Sequence, residues 1–204
     1  MDAMTEHYAT KADYITLMST QIEGLINAEE AHWLAEAALG IPHGVIVEIG
    51  SWKGRSTRVL GAAALDTGGV VFAVDAWCGS ASEEADSLVN RVPGHEAFDY
   101  FSRANADLIT AGYIVPLHTY SHQAARALAR VGMAGQIDML WVDGDHLYES
   151  VKADLDAWLP LVKPGGLVCG HDYGRETVQR AVHEHFAPEA VGCDAGSIWY
   201  ARMP

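Results

Sequence analysis

Two stretches of the sequence concentrate groups that can move protons or hold a cation: Asp143-Gly144-Asp145-His146 and His171-Asp172-Tyr173. Each follows a short apolar run, DMLWVD (138–143) and LVCG (167–170), and a helical stretch lies between them, which makes the two runs the strands of one βαβ unit. As neighbours such strands lie about 4.8 Å apart, so three carboxylates and two imidazoles converge on one space. Unpaired carboxylates at that density repel one another, and a bound cation is the simplest resolution. Oxygen-rich ligation favours Mg²⁺, Mn²⁺ or Ca²⁺, and a histidine ligand admits Mn²⁺ or Co²⁺. For a general base the group offers Asp145 and His146. An imidazole with an ordinary pKa near 6.5 suits proton removal at neutral pH better than an Asp near 3.9, which favours His146. Asp145 is left as a ligand, an acceptor for substrate hydroxyls, or the base after all.

A second pair of sites precedes these. VIVEI (45–49) runs into Gly50-Ser51-Trp52-Lys53-Gly54, and VVFAV (70–74) ends in Asp75. Glycines after a strand let backbone N–H groups approach a ligand at a helix N-terminus. Their spacing is not GxGxxG, and the acid Glu48 in front of them disfavours a pyrophosphate. Asp75 is placed to accept both hydroxyls of a ribose. Acids at both strand ends without a phosphate cradle suit an adenosine that carries positive charge and no phosphate, such as S-adenosylmethionine.

To hold these tips along one edge, the chain must build a parallel sheet. Asn27 followed by Glu30 reads as a capping box opening a helix over residues 25–39, with Leu25, Trp33, Leu34 and Leu39 on its apolar stripe. A helix follows the glycine loop from about Ser56 to Leu65. YIVPLHTY (113–120) reads as a third strand, its Pro116 pointing to a sheet edge, and Ser121 to Arg130 as a helix. Leu147, Val151, Leu155, Leu159 and Val162 recur at helical intervals, and KPGG (163–166) ends that helix. A helix near Thr177 to Phe186 and a strand at SIWYARM (197–203) finish the chain. Strands alternating with helices imply an α/β fold, a doubly wound, mostly parallel sheet with helices on both faces. Residues 77–105 read as irregular throughout, either an insertion over the site or a surface loop. Trp52, Trp77, Tyr148 and Tyr173 stand beside the site residues, as sugar-stacking rings or as packing.

Composition narrows the function classes. With 204 residues, 50% of them hydrophobic, and a formal charge of −14, the chain reads as one domain that a phosphate backbone repels, so no nucleic acid is expected as a partner. Cys78, Cys169 and Cys193 form no CxxC pair, which points to small buried apolar side chains in a reducing compartment. No apolar run suits a membrane span or a signal peptide, and a cytoplasmic location is expected.

With these motifs on the page, the sequence resembles the class I S-adenosylmethionine-dependent methyltransferases over roughly residues 23–203, through EGLINAEEAHWLAEAA, VIVEIGSWKGRST, AVDAW and LWVDGDHLYESVKADLDAWLPLVKPGGLVCGHDY. Within them, the DGDH and HDY pairing is similar to the small metal-dependent O-methyltransferases that act on sugars. The resemblance implies a Rossmann-like, seven-stranded sheet. It implies that Glu48, Gly50, Ser51 and Gly54 hold the methionine part of the cofactor, Asp75 the ribose, and Ser121 and His122 the adenine. Asp143 and Asp172 match metal-ligand positions, Mg²⁺ foremost. His171 stands where those enzymes often carry another Asp, leaving it as ligand or orienter. The implied acceptor is a small molecule or oligosaccharide, down to O-1 of a 3-O-methylated mannoside. A diol on the cation would lose a proton to His146 and attack the sulfonium methyl in line. Residues 1–22 form an N-terminal arm with no evident role within the chain, left to wrap the partner of a homodimer or stay disordered. Residues 23–204 are the cofactor-binding domain, with a lid at about 77–105. Rival readings are a metal-dependent hydrolase, which wants more His and Asp ligands, a nicotinamide-dependent oxidoreductase, which wants GxGxxG, and a non-catalytic cofactor-binding module, which has no need of the Asp143, His146 and Asp172 group.

Overall fold

The β-branched runs become the centre of one seven-stranded sheet in the computed structural model, which describes residues 9–204. β1 (Val45–Ile49), β2 (Val70–Asp75), β3 (Ile114–His118), β4 (Ile137–Val142) and β5 (Val162–Gly170) are parallel, in the order β3-β2-β1-β4-β5. β7 (Ile198–Arg202) and β6 (Gly192–Asp194) extend it antiparallel beyond β5. β3 is an edge strand, where the missing N–H of Pro116 is tolerated. β4 is central, with Met139, Leu140 and Trp141 fully buried.

Successive strand residues point to opposite faces, and the core divides accordingly. Ile46, Val71, Ala73, Met139, Trp141 and Cys169 pack under α1 (Lys11–Ser19), α2 (Ala28–Leu39), α3 (Arg55–Thr67) and α4 (Gly94–Ala104). Val47, Ile49, Val74, Leu140, Val142 and Val168 pack under the helices of the other face, α6 (Ser121–Arg130), α7 (Tyr148–Trp158) and α8 (Glu176–His183). The short α5 (Ala106–Thr110) connects α4 to β3. Among the described residues no helix is long and apolar enough to cross a membrane.

Four expectations need correction. Residues 10–19 do have a role within the chain: Thr10 caps α1, and Ala12 and Ile15 join the core. Residues 1–8 of the expected arm lie outside the described residues. Residues 94–104 of the expected irregular segment form α4, because Ala97 and Phe101 recur at a four-residue interval and are buried. Leu25 precedes α2 and is exposed; the buried face of α2 is Glu30, Ala31, Leu34, Ala35 and Ala38. Val162 opens β5, and KPGG bulges out between the Ile137–Val162 and Met139–Leu167 pairs. The three-residue β6 carried too short a pattern to read.

Sheet register brings the four strand tips together. The Gly50 N–H donates to Val74 O at 2.9 Å, the Asp143 N–H to Ile49 O at 2.8 Å and the His171 N–H to Val142 O at 3.1 Å. Asp75, Gly50, Asp143 and His171 thus stand side by side at the carboxyl ends of β2, β1, β4 and β5. Between β1 and β4 the chain order reverses, and that is where α/β sheets bind ligands.

Candidate active site

A cleft of about 920 Å³ opens at that reversal. Gly50 reaches it in a left-handed conformation (φ +86°), and a Cβ there would lie 2.1 Å from Asp143 O. The crossing of two strand tips therefore requires the glycine, which also lines the cleft. Gly54, also left-handed at φ +88°, opens α3 without a side-chain cap. Ser51 lines the cleft beside them.

Glu48 does not line the cleft. It is fully buried, accepting from the Ser51 hydroxyl at 2.7 Å and from Thr57 through Oε2, while Oε1 has no hydrogen-bond partner among the described residues. Expected beside the methionine part of the cofactor, it stands off the cleft wall and braces the loop from beneath. Burial pushes its carboxyl up to about 7, against hydrogen bonds from Ser56, Thr57 and Ser51. A folded-state pKa above the unfolded value means that stability present below about pH 4 is lost as pH rises through about 7. Glu48→Gln should remove that loss, on the order of 3 kcal/mol at pH 8 and little at pH 4; thermal unfolding at both pH values measures it, and an unchanged slope would place the charge elsewhere.

Asp75 accepts from the N–H groups of Ser51 (2.9 Å) and Trp52 (2.8 Å) through Oδ2 and of Trp77 (2.6 Å) through Oδ1. Three of about four lone-pair positions are thereby used. The Ser121 hydroxyl is committed as well, donating to Asp154 Oδ1 at 2.5 Å and accepting from Trp158 Nε1 at 2.8 Å. His122 stacks on Tyr120 at 6.0 Å, and both rings line the cleft. Asp154, which sequence reasoning missed, also lines it; burial pushes its carboxyl up to about 6.

Asp143, His146 and Asp172 come together, each offering an atom within 4.8 Å of the others. Burial pushes the Asp143 carboxyl up to about 6, against the nearby imidazoles of His171 and His146. His146 Nε2 lies 2.9 Å from Asp172 Oδ2, yet the angle makes no hydrogen bond, and among the described residues this buried nitrogen has no hydrogen-bond partner. Burial lowers the His146 pKa, but Asp172 and Asp143 outweigh it and hold it above its ordinary value. Asp172 is itself left-handed (φ +58°), and its carboxyl is held well below the usual range by His146 and His171 despite burial.

His171 does not join the ligand group. Its Nδ1 lies 3.0 Å from Asp172 Oδ2, and its Nε2 lies 2.9 Å from Glu30 Oε1 and 3.0 Å from Ser197 Oγ. Burial alone would lower its pKa; Asp172 and Glu30 push it up to about 10. With both ring nitrogens engaged, neither points a free lone pair at the group of three, an arrangement that suits an orienter. Glu30 was legible only as half of a capping box, and Ser197 carried no signal.

Asp145 also departs from its expected role. Oδ1 accepts from the Ser80 hydroxyl (2.8 Å) and the Ser82 N–H (2.7 Å), and Oδ2 from the Ser150 hydroxyl (2.6 Å). Those donors overcome burial and hold its carboxyl at about 2. It fastens residues 80–82 over the cleft, and Ser82 Oγ in turn reaches 3.2 Å from His146 Nδ1. Arg175 adds a tie, 2.8 Å from Glu83 and 3.2 Å from Asp172. Within residues 77–105, read as an insertion over the site or a surface loop, Trp77, Ser80, Glu83, Asn90 and Ala97 line the cleft. Among the neighbouring rings, Trp52 and Trp77 line the cleft, whereas Tyr148 bonds Glu184 and Tyr173 faces His183. Cys78 and Cys193 are exposed, contrary to expectation, and Cys169 is buried.

Comparison with known proteins places this geometry. A family model described as a methyltransferase domain matches residues 47–173. The uncharacterized protein y4gI of Sinorhizobium fredii is 31% identical over 132 residues, which cover 62% of this chain and 13% of that protein. The chain therefore spans a small part of that relative's length. An O-methyltransferase from Bacillus cereus, solved in complex with SAH, superposes with a TM-score of 0.67 at 13% identity, covering 98% of this chain and 95% of that one. CalS11, a calicheamicin methyltransferase, gives a TM-score of 0.63 at 16% identity, covering 99% and 96%. At these identities the two structures speak for the fold.

Proposed function

This chain belongs to the methyltransferase-domain family, and from that premise we propose that it moves a methyl group from S-adenosylmethionine to a hydroxyl of a small acceptor, beside a divalent cation held by Asp143 and Asp172. The observation that carries the reading is the Asp143, His146 and Asp172 group on the wall of the cleft. The donor set fits a hard cation: two half-buried carboxylates, beside which stands an imidazole nitrogen with no hydrogen-bond partner among the described residues. Mg²⁺ suits the oxygens best, with Mn²⁺ or Co²⁺ admitted by the imidazole. Such a cation lowers the pKa of a hydroxyl facing it and supplies charge where oxygen becomes anionic.

The residues of the chain account for the rest. The uncapped N-terminus of α3 offers backbone N–H groups to the carboxylate of the methionine part. Asp75 has one acceptor position left on Oδ1 for a ribose hydroxyl, and the ring pair of Tyr120 and His122 suits a base face. His146 takes the acceptor proton at Nε2, and the Asp172 carboxylate at 2.9 Å steadies the imidazolium that results. Residues 80–83, fastened through Asp145 and Arg175, keep water from the sulfonium. A sugar acceptor fits an acidic cleft whose carboxylates accept from hydroxyls. The proximity of His146 to both acids favours a second reading, in which it is the third ligand.

Calorimetric titration of S-adenosylmethionine and SAH into metal-free protein, then with Mg²⁺ and with Mn²⁺, tests the proposal. Micromolar binding of both, with NAD silent, is expected. Silence under every metal condition would overturn it and return the group to the hydrolase reading.

A further inference from the structure

Behind the candidate ligands runs a chain of contacts that ends on a distant helix. Glu30, in the first turn of α2, is only 5% exposed and divides its carboxylate between two tasks. Oε2 accepts from the Asn27 N–H at 2.8 Å, which completes the capping box. Oε1 lies 2.9 Å from His171 Nε2 and accepts from the Ser197 hydroxyl at 3.0 Å. The far side of the His171 ring lies 3.0 Å from Asp172 Oδ2, the oxygen that also faces His146. Helix capping uses one carboxylate oxygen and requires no burial. The buried second oxygen therefore serves something other than the helix, since burial of a carboxylate is costly unless it is paired. Asp172 needs such support: its left-handed backbone does not by itself fix the side chain, and Arg175 reaches only Oδ1.

We propose that Glu30 is a positioning residue for the cation site, fixing the His171 ring, which in turn fixes the carboxylate of Asp172 toward Asp143. The inference rests on the reading of Asp143 and Asp172 as cation ligands. The His171 ring is held at Nδ1 by its hydrogen bond with Asp172 Oδ2 and at Nε2 by the Ser197 hydroxyl, which itself donates to Glu30 Oε1, while that same Glu30 oxygen lies 2.9 Å from Nε2; so held, the ring turns no lone pair to the cation. It spends one lone pair of Asp172 Oδ2, Arg175 takes one of Oδ1, and the remaining lone pair on each oxygen is left to the site. Partners of this kind are worth about 10- to 100-fold in metal affinity.

The test is Mn²⁺ affinity, by calorimetry and electron paramagnetic resonance, of the full chain and of Glu30→Gln, Asn27→Ala, His171→Asn and Glu30→Gln/His171→Asn, with SAH affinity and Tm measured alongside. A glutamine has one acceptor oxygen for two tasks and cannot serve both. Glu30→Gln should weaken Mn²⁺ binding about 10- to 100-fold with SAH affinity retained. Asn27→Ala, which removes the cap and leaves the Glu30–His171 contact, should lower Tm and keep Mn²⁺ affinity. The double variant should bind Mn²⁺ no worse than His171→Asn, because Glu30 acts through that ring. Unchanged affinity in Glu30→Gln, additive losses in the double variant, or an equal loss in Asn27→Ala would overturn the positioning role. A wild-type chain that binds SAH but no Mn²⁺ would overturn the cation reading itself, and this inference with it.

Discussion

Asp143→Asn should slow methyl transfer by about a thousandfold or more, while SAH should bind as tightly as before. The size follows from what the carboxylate would hold: a cation contributes several kcal/mol to an anionic transition state, and each 1.36 kcal/mol is tenfold in rate. The selectivity follows from position. Asp143 touches Gly50 through its backbone carbonyl, which the substitution leaves in place, and its side chain faces His171 and the ligand group rather than α3 or Asp75. A separate readout comes from stability. Burial pushes the Asp143 carboxyl up to about 6, so at pH 8 the cation-free protein carries a charge that it would be more stable without, and Asn removes it. The variant should therefore unfold at the same temperature as wild type or higher without metal. Wild type should gain Tm on adding Mg²⁺ or Mn²⁺, and the variant should not. Equal losses of transfer and SAH affinity would make Asp143 part of the cofactor site or the fold.

What could be read from the sequence was whatever a local pattern encodes. The capping box at Asn27 and Glu30, the apolar runs of β1, β2 and β4, and the tips that end in Asp75, Asp143 and Asp172 all lie within stretches of a few residues, and the structure has them where the patterns put them. What could not be read was how residues distant in sequence divide one another's hydrogen bonds. Asp145 has the right type and place for a base, but Ser80, Ser82 and Ser150 occupy it, and nothing near it in sequence announces the first two. Glu48 looks like a ligand-facing acid, yet it is the residue just before the last of β1, pointing under the loop to Ser51 and Thr57. Glu30 satisfied one local rule so well that its second oxygen went unasked. His171 could be left open between two roles from sequence, and the partners on its two nitrogens, Asp172 on one and Ser197 and Glu30 on the other, come from distant parts of the chain or from the strand tip itself. A sequence locates the strand ends; the allotment of donors among them is tertiary.

His146→Ala separates the two roles that the geometry leaves for this ring. As the base, its loss should lower kcat by about 10²–10⁴ and leave Mn²⁺ affinity within a few-fold, because Asp143 and Asp172 remain. Its loss should also erase the ascending acid limb of the rate profile. The sign is set by the proton: a base works deprotonated, so the wild-type rate rises with pH through the pKa of His146, which Asp172 and Asp143 hold above its ordinary value in the cation-free protein although burial opposes them. As a third ligand, its loss should weaken Mn²⁺ binding at least as much as it lowers kcat, and saturating Mn²⁺ should restore the rate with the acid limb intact. Asp145 is the control between them. Asp145→Asn keeps the shape of a side chain that accepts from three donors and sacrifices only charge and one acceptor, so its main effect should be on KM, through a looser segment 80–82. A kcat loss in Asp145→Asn as large as that in His146→Ala, with His146→Ala still showing the acid limb, would return the proton to Asp145 and would mean that the three donors release it when acceptor binds.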